Sequence, residues 1–152
     1  MKRNKYKIPV SSLIIVHTKK MDILLLHRQD KEGYWQSITG SLEENEKPID
    51  AAKRELYEET GINHQDFPIE DWKFSQTYNI YDHWRHRYAP GVSSNIEHVF
   101  SVEWPKKIAI KIAPSEHKDF KWVSINEAID KVFSSSNAKA LKMLHAKEQT
   151  RG

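Results

Sequence analysis

The segment Gly40 to Ile62, GSLEENEKPIDAAKRELYEETGI, constrains this chain more than any other. Its middle reads as one helix from Pro48 to Thr60. Proline suits the first helical turn, where its missing N–H is not needed, and Asp50 complements the positive end of the helix dipole. Gly61 follows as a stop, because glycine takes the left-handed conformation there without strain. Ile49, Ala52 and Leu56 form an apolar stripe that should pack on a sheet. Glu55, Glu58 and Glu59 share a neighbouring arc of roughly 100°, since residues three and four apart lie on one helix face. Ala51 falls on that arc one turn earlier and should leave it sterically open.

Three clustered glutamates suit a solvated acidic helix face. That is the commoner arrangement, but they also suit a hard divalent cation, which takes oxygen ligands and keeps waters or phosphates in its other positions. The surrounding spacing decides between these. Gly40 is followed by five residues and Glu46, then by seven residues and Arg54-Glu55. Apolar Leu56, Glu58-Glu59, Gly61 and apolar Ile62 complete the pattern. This segment resembles the Nudix box, with Gly40, Glu46, Arg54, Glu55, Glu58, Glu59 and Gly61 all in place. One departure is Asn45, where many members carry glycine. Asparagine tolerates a left-handed backbone, so the loop is expected to form.

The resemblance implies an α/β class fold, the α/β/α sandwich of the Nudix family with a mixed β-sheet. It implies hydrolysis of a nucleoside-diphosphate-linked or similar diphosphate, assisted by Mg2+ or Mn2+. By the family pattern Glu55 and Glu59 are the main metal ligands. Glu58 is a further ligand or the general base, and the Gly40 carbonyl adds a contact. Arg54 orients the glutamates through charge-assisted hydrogen bonds. Glu116, in Pro114-Ser115-Glu116-His117, is a second candidate for ligand or base, because many members place a functional glutamate in a loop of this kind. His117 beside it reads as structural or merely exposed.

The rest of the chain fits a mixed α/β domain. Strands are expected at Tyr6 to His17, Ile23 to Leu26, Trp35 to Thr39 and Ile96 to Trp104, with further candidates at Ile108 to Ile112 and Phe120 to Val123. Ser124 and Glu127 form a capping box opening a short helix through Val132. A last helix is expected from about Asn137 to Lys147, and the polar tail Lys147 to Gly152 should fray. The 152 residues suit one domain, with an ordered core from about Tyr6 to Ala146.

Composition narrows the partners. The 24 basic and 21 acidic side chains leave a net charge of only +3, with both signs interspersed, so no nucleic-acid partner is expected. No cysteine is present, which excludes a disulfide framework, a thiol nucleophile and a zinc–thiolate site. No run approaches the ~20 apolar residues that span a bilayer. A soluble, cytoplasmic enzyme for a small triphosphate is expected. The sequence leaves its oligomeric state open, and a monomer is compatible with it.

Segments outside the box resemble one Nudix subgroup, the bacterial dihydroneopterin triphosphate diphosphatases, also described as dATP pyrophosphohydrolases. They are Tyr6-Lys7-Ile8-Pro9-Val10-Ser11, Trp35 to Gly40, and His86 to Val92 with Asn95 and Glu97. The resemblance implies cleavage of dihydroneopterin triphosphate to the monophosphate and pyrophosphate. Lys7, Arg28, Arg85 and Arg87 are candidate phosphate-holding cations. Tyr78, Tyr81, Trp84 and Tyr88 are candidates to stack on a ring. Thr39 and Ser134 offer hydroxyls at the ends of expected elements.

Overall fold

The run Leu13-Ile14-Ile15-Val16 is apolar on both faces, which is the signature of a strand covered on both sides. In the computed structural model, which describes residues 6–151, it lies in β1 (Val10–Thr18), at the centre of a seven-stranded sheet. Leu13 and Ile15 point into one core and Ile14 and Val16 into the other. Residues 1–5 and the terminal Gly152 lie outside the described residues.

After β1 come β2 (Asp22–Arg28), β3 (Trp35–Gln36), β4 (Ile38–Ser41), α1 (Pro48–Thr60), β5 (Ile69–Asn79), β6 (Ser94–Trp104), β7 (His117–Ser124), α2 (Ile125–Lys131) and α3 (Ser135–Arg151). β1 and β6 run parallel over nine paired positions, from Val10 opposite Ile96 to Thr18 opposite Trp104. The other pairings are antiparallel, so the sheet is mixed. Helix α1 covers one face through Ala52 and Leu56, with Ile49 packed alongside. Helices α2 and α3 cover the other through Ala128, Ala140, Leu141 and Leu144. This is the expected α/β/α sandwich.

One feature of the sheet places the site. β1 and β2 meet at His17 opposite Ile23 and then part. The wedge between them is filled by β3, which pairs with β2, and β4, which pairs with β1. The sequence suggests one strand from Trp35 to Thr39. Instead the chain changes partner at Ser37, whose N–H donates to Asn137 Oδ1 at 2.8 Å while Asn137 Nδ2 donates to its hydroxyl at 3.0 Å. A side chain on α3 thus replaces the ladder at the break.

Other expectations need correction. The first strand begins at Val10 rather than Tyr6. Ile108 to Ile112 is not a strand; its isoleucines pack on the α1-side core, and Lys111 N–H bonds to Thr60 O at 3.2 Å across the end of α1. Strand β5 was not foreseen. The last helix opens at Ser135 rather than about Asn137 and continues to Arg151 rather than about Lys147. Ala51 is fully buried and brings α1 close to the sheet rather than leaving a face open. Asn45 does take the left-handed backbone, with φ of 64°.

Candidate active site

Helix α1 ends as its sequence dictates, with Gly61 at φ of 76° and its N–H bonded to Tyr57 O. Its acidic side faces the wedge in the sheet. Arg54 organises that side. Its Nε and Nη2 donate to the two carboxylate oxygens of Glu46, each at 2.9 Å. Nη2 also donates to the Ser41 carbonyl at 3.1 Å, and Nη1 to Glu55 Oε2 at 2.8 Å and Glu58 Oε1 at 3.3 Å. One planar fork therefore ties the loop before α1 to two glutamates on it. The paired guanidinium holds Glu46 below the usual carboxylate range.

Glu55 is buried against Gly40. A Cβ built on Gly40 would lie 2.1 Å from Glu55 Oε2, so only glycine leaves room for this carboxylate. Burial pushes the Glu55 carboxyl up to about 7, against the pull of Arg54, with Glu58 and Glu59 adding to the rise. A carboxylate so placed gains from a nearby cation. Glu58 is half exposed.

Glu59 is 1% exposed and turned inward, where His117 Nδ1 donates to its Oε1 at 2.7 Å. Gln36 Nε2 donates to His117 Nε2 at 3.1 Å, and Arg28 Nη1 approaches Gln36 Oε1 at 3.4 Å. The amide fixes Nε2 as acceptor, so Nδ1 carries the proton. His117 is thus structural rather than exposed, and it holds Glu59 in place. Its neighbour Glu116 supplied the sequence signal for a site here, but nothing in the sequence showed that the strand turns His117 inward.

A cleft of about 1870 Å³ opens from this edge. Gly40, Arg54, Glu55, Glu58 and Glu116 line it, together with Lys7, Arg28, Thr39, Tyr78, Tyr81, Trp84, Arg87, Tyr88 and Ser134. Glu59 and Arg85 are not on its wall. Lys7, Arg28 and Arg87 gather at one side. Burial, then the charges of Arg87 and Arg28, hold the Lys7 ammonium below the usual lysine range. Three cations this close need an anion. Asp30, missed in the sequence, supplies part of it, accepting from Arg28 Nε at 2.8 Å, Arg28 Nη2 at 2.9 Å and Arg87 Nη2 at 3.3 Å. Only the Arg28-x-Asp30 spacing hinted at that pairing.

Asp82–Arg87 forms a short 3-10 helix. It sets Trp84 against Tyr81, their rings stacked at 5.6 Å, with Phe133 edge-on to both. Arg28 lies over the Trp84 ring at 4.3 Å. Ser134 Oγ accepts from Asn137 N–H at 3.1 Å and so caps the start of α3.

The cleft also holds Glu97, 3% exposed on β6, whose carboxyl burial pushes up to about 7. A free glutamate loses its proton near 4.5. Between these values the unfolded chain is deprotonated and the folded chain is not, so stability falls as pH rises. Urea unfolding of metal-free protein at pH 5 and pH 8 should show this decline. Glu97→Gln should reduce it by roughly 3 kcal/mol, the size of such a shift. An unchanged decline would mean that Glu97 ionises normally.

A glycine-cradled carboxylate row on a helix, set over the split of a mixed sheet, defines a Nudix hydrolase, and the chain belongs to that family. The model of the NUDIX domain matches residues 7–144. The chain is 38% identical over 141 residues to the dihydroneopterin triphosphate diphosphatase of Haemophilus influenzae, covering 91% of this chain and 88% of that one. It is 37% identical over 145 residues to the protein of the same name from Escherichia coli K12, covering 93% and 95%. The structure of the E. coli dihydroneopterin triphosphate pyrophosphohydrolase superimposes with a TM-score of 0.87, covering 92% of this chain and 97% of that one at 36% identity.

Nudix hydrolases generally use a divalent metal. The oxygen-only donors here, with the cradle at Gly40, fit a hard cation. Among the described residues no three acidic or imidazole side chains already close on one point. Glu55 is drawn to Arg54 and Glu59 to His117 instead.

Proposed function

We propose that the chain, acting as a single domain in the cytoplasm, hydrolyses dihydroneopterin triphosphate to dihydroneopterin monophosphate and pyrophosphate. The observation that carries this reading is one cleft that joins the carboxylates of α1 to three converging cations and an aromatic wall. Two relatives similar over nine-tenths of the chain bear the name of that activity.

Glu55 and Glu59, with Glu58, Glu116 and the Gly40 carbonyl, would hold Mg2+, or Mn2+ in its place. When bound, such an ion offsets phosphate charge and makes a bound water more acidic. Lys7, Arg28 and Arg87 bind the phosphate chain, and Thr39 and Ser134 present hydroxyls to it. Arg54 keeps Glu55 and Glu58 oriented. Glu58 or Glu116, both on the cleft wall, accepts the proton of the attacking water. The water oxygen bonds to phosphorus, the anhydride P–O bond breaks, and pyrophosphate leaves. Tyr78, Tyr81 and Trp84 face the ring end of the cleft.

The test compares kcat/KM for dihydroneopterin triphosphate, dATP and diadenosine tetraphosphate on purified protein, with and without Mg2+. The pterin compound should be cleaved fastest, and only with metal. Faster cleavage of either rival substrate would replace the pterin assignment. Binding without pyrophosphate release would make the protein a non-catalytic module.

A further inference from the structure

Glu97 has no role in the chemistry just described, yet it is a buried carboxyl on the wall of the same cleft. Among the described residues no cationic side chain pairs with it. It accepts from Gln76 Nε2 at 3.3 Å, and that amide also donates to Ser136 O at 2.8 Å. Its surroundings are polar by design of the sheet register. Ser11 is its neighbour on β1 and Gln76 its neighbour on β5. Asn95, two residues earlier on the same face, donates to Ser11 Oγ at 2.8 Å and has a buried Oδ1 with no partner among the described residues. Two residues later the same face carries Val99, which packs in the core beneath α3. An apolar residue at 97 would continue that packing. Burying a carboxyl without a cation instead costs stability, which side-chain hydrogen bonds from Gln76 and Ser136 only partly offset.

We propose that Glu97 recognises the paired N–H and NH2 donors of a 2-amino-4-oxo-pyrimidine ring, the edge that a dihydropterin shares with guanine. A carboxylate accepts both donors side by side through its two oxygens, as it does from a guanidinium. Adenine presents one donor beside one acceptor, so its ring nitrogen would face a carboxylate oxygen. Donors also favour the charged carboxyl, which offsets the effect of burial on it. Lys7, Arg28 and Arg87 lie in the same cleft to take the phosphates. The aromatic wall of Tyr81, Trp84 and Phe133 offers a ring face for stacking.

This assignment deepens the pterin reading and rests on it for the natural substrate. The guanine arm tests Glu97 independently. Wild-type protein is assayed on dihydroneopterin triphosphate, dGTP, dITP and dATP, and Glu97→Gln on the same four. Wild type should prefer dGTP to dITP, which lacks the 2-amino group, by about tenfold or more, the range for one hydrogen bond to a charged group. Glu97→Gln should lower kcat/KM for the pterin compound and dGTP by about 10- to 100-fold and leave dATP within about threefold, because an amide meets only one of the two donors. Equal loss on all four substrates would make Glu97 a structural residue and overturn the proposal. So would equal wild-type turnover of dGTP and dITP, a comparison that needs no variant and stands even if Glu97→Gln does not fold. Poor wild-type cleavage of the pterin compound would remove the pterin reading while the dGTP and dITP arms still decide the role of Glu97.

Discussion

A Glu59→Gln variant is expected to lose kcat on the order of a hundred- to a thousandfold, the range for removing one charge-stabilising group from a preorganised site. The side chain is the same size, and glutamine Oε1 can accept the bond that His117 Nδ1 now gives to Glu59 at 2.7 Å. The fold should therefore persist, with the unfolding midpoint within about 3 °C of wild type, a change of about 1 kcal/mol or less for a chain of this size. What disappears is a negative charge. His117 occupies one carboxylate oxygen, and the second remains as a donor for a cation. Binding of Mn2+, followed by the loss of the free-ion resonance, should weaken in parallel without any substrate present. Near-wild-type turnover with unaltered Mn2+ binding would take Glu59 out of the metal site.

Gly40→Ala is expected to damage activity through a single methyl group. The new carbon would lie 2.1 Å from Glu55 Oε2 and 2.2 Å from its carboxyl carbon, closer than non-bonded atoms can approach. Gly40 is fixed by its pairing with Ser12 across β1 and β4, and α1 is packed on β1. The Glu55 carboxylate is the part that can yield, and moving it breaks its 2.8 Å bond to Arg54. Losing a contact that orients a metal-binding carboxylate typically costs about 10- to 100-fold in metal affinity or activity. The overpacking itself should cost about 1–3 kcal/mol of stability. Wild-type kcat/KM and Mg2+ requirement in this variant would show that Glu55 does not need the cradle.

The sequence made α1 legible to the residue. Pro48 and Gly61 punctuate it, and the apolar and acidic stripes have an unmistakable helical period. Strand β5 was opaque for a physical reason. Its segment IEDWKFSQTYN carries Trp72, Phe74, Gln76 and Tyr78 on one side but mixes polar residues into both, and Lys73 at φ of 52° interrupts the register. Conversely, Ile108 to Ile112 alternates like a strand but has no ladder partner; its isoleucines cover the core while the backbone runs irregularly past the end of α1. The carboxylates were readable because they share one helix. The cation cluster was readable only in parts, since Lys7, Arg28 and Arg87 come from separate segments. Glu97 and the Gln36–His117–Glu59 chain depend on which way strands face, and local pattern does not carry that.

The pairing of β1 with β6 bears on how the molecule is made. The strand at the middle of the sheet waits for a partner that begins at Ser94, more than half the chain later. A ribosome that has released β1, β2, β4 and α1 has therefore delivered the glutamates of α1 but not the strand that completes their platform. Contacts between such distant segments slow folding, because a long loop must close before they are rewarded. The nascent chain carries Leu13, Ile14, Ile15 and Val16 with one edge unpaired throughout that interval, so aggregation during synthesis should be sensitive to substitutions in β6 that never touch the substrate.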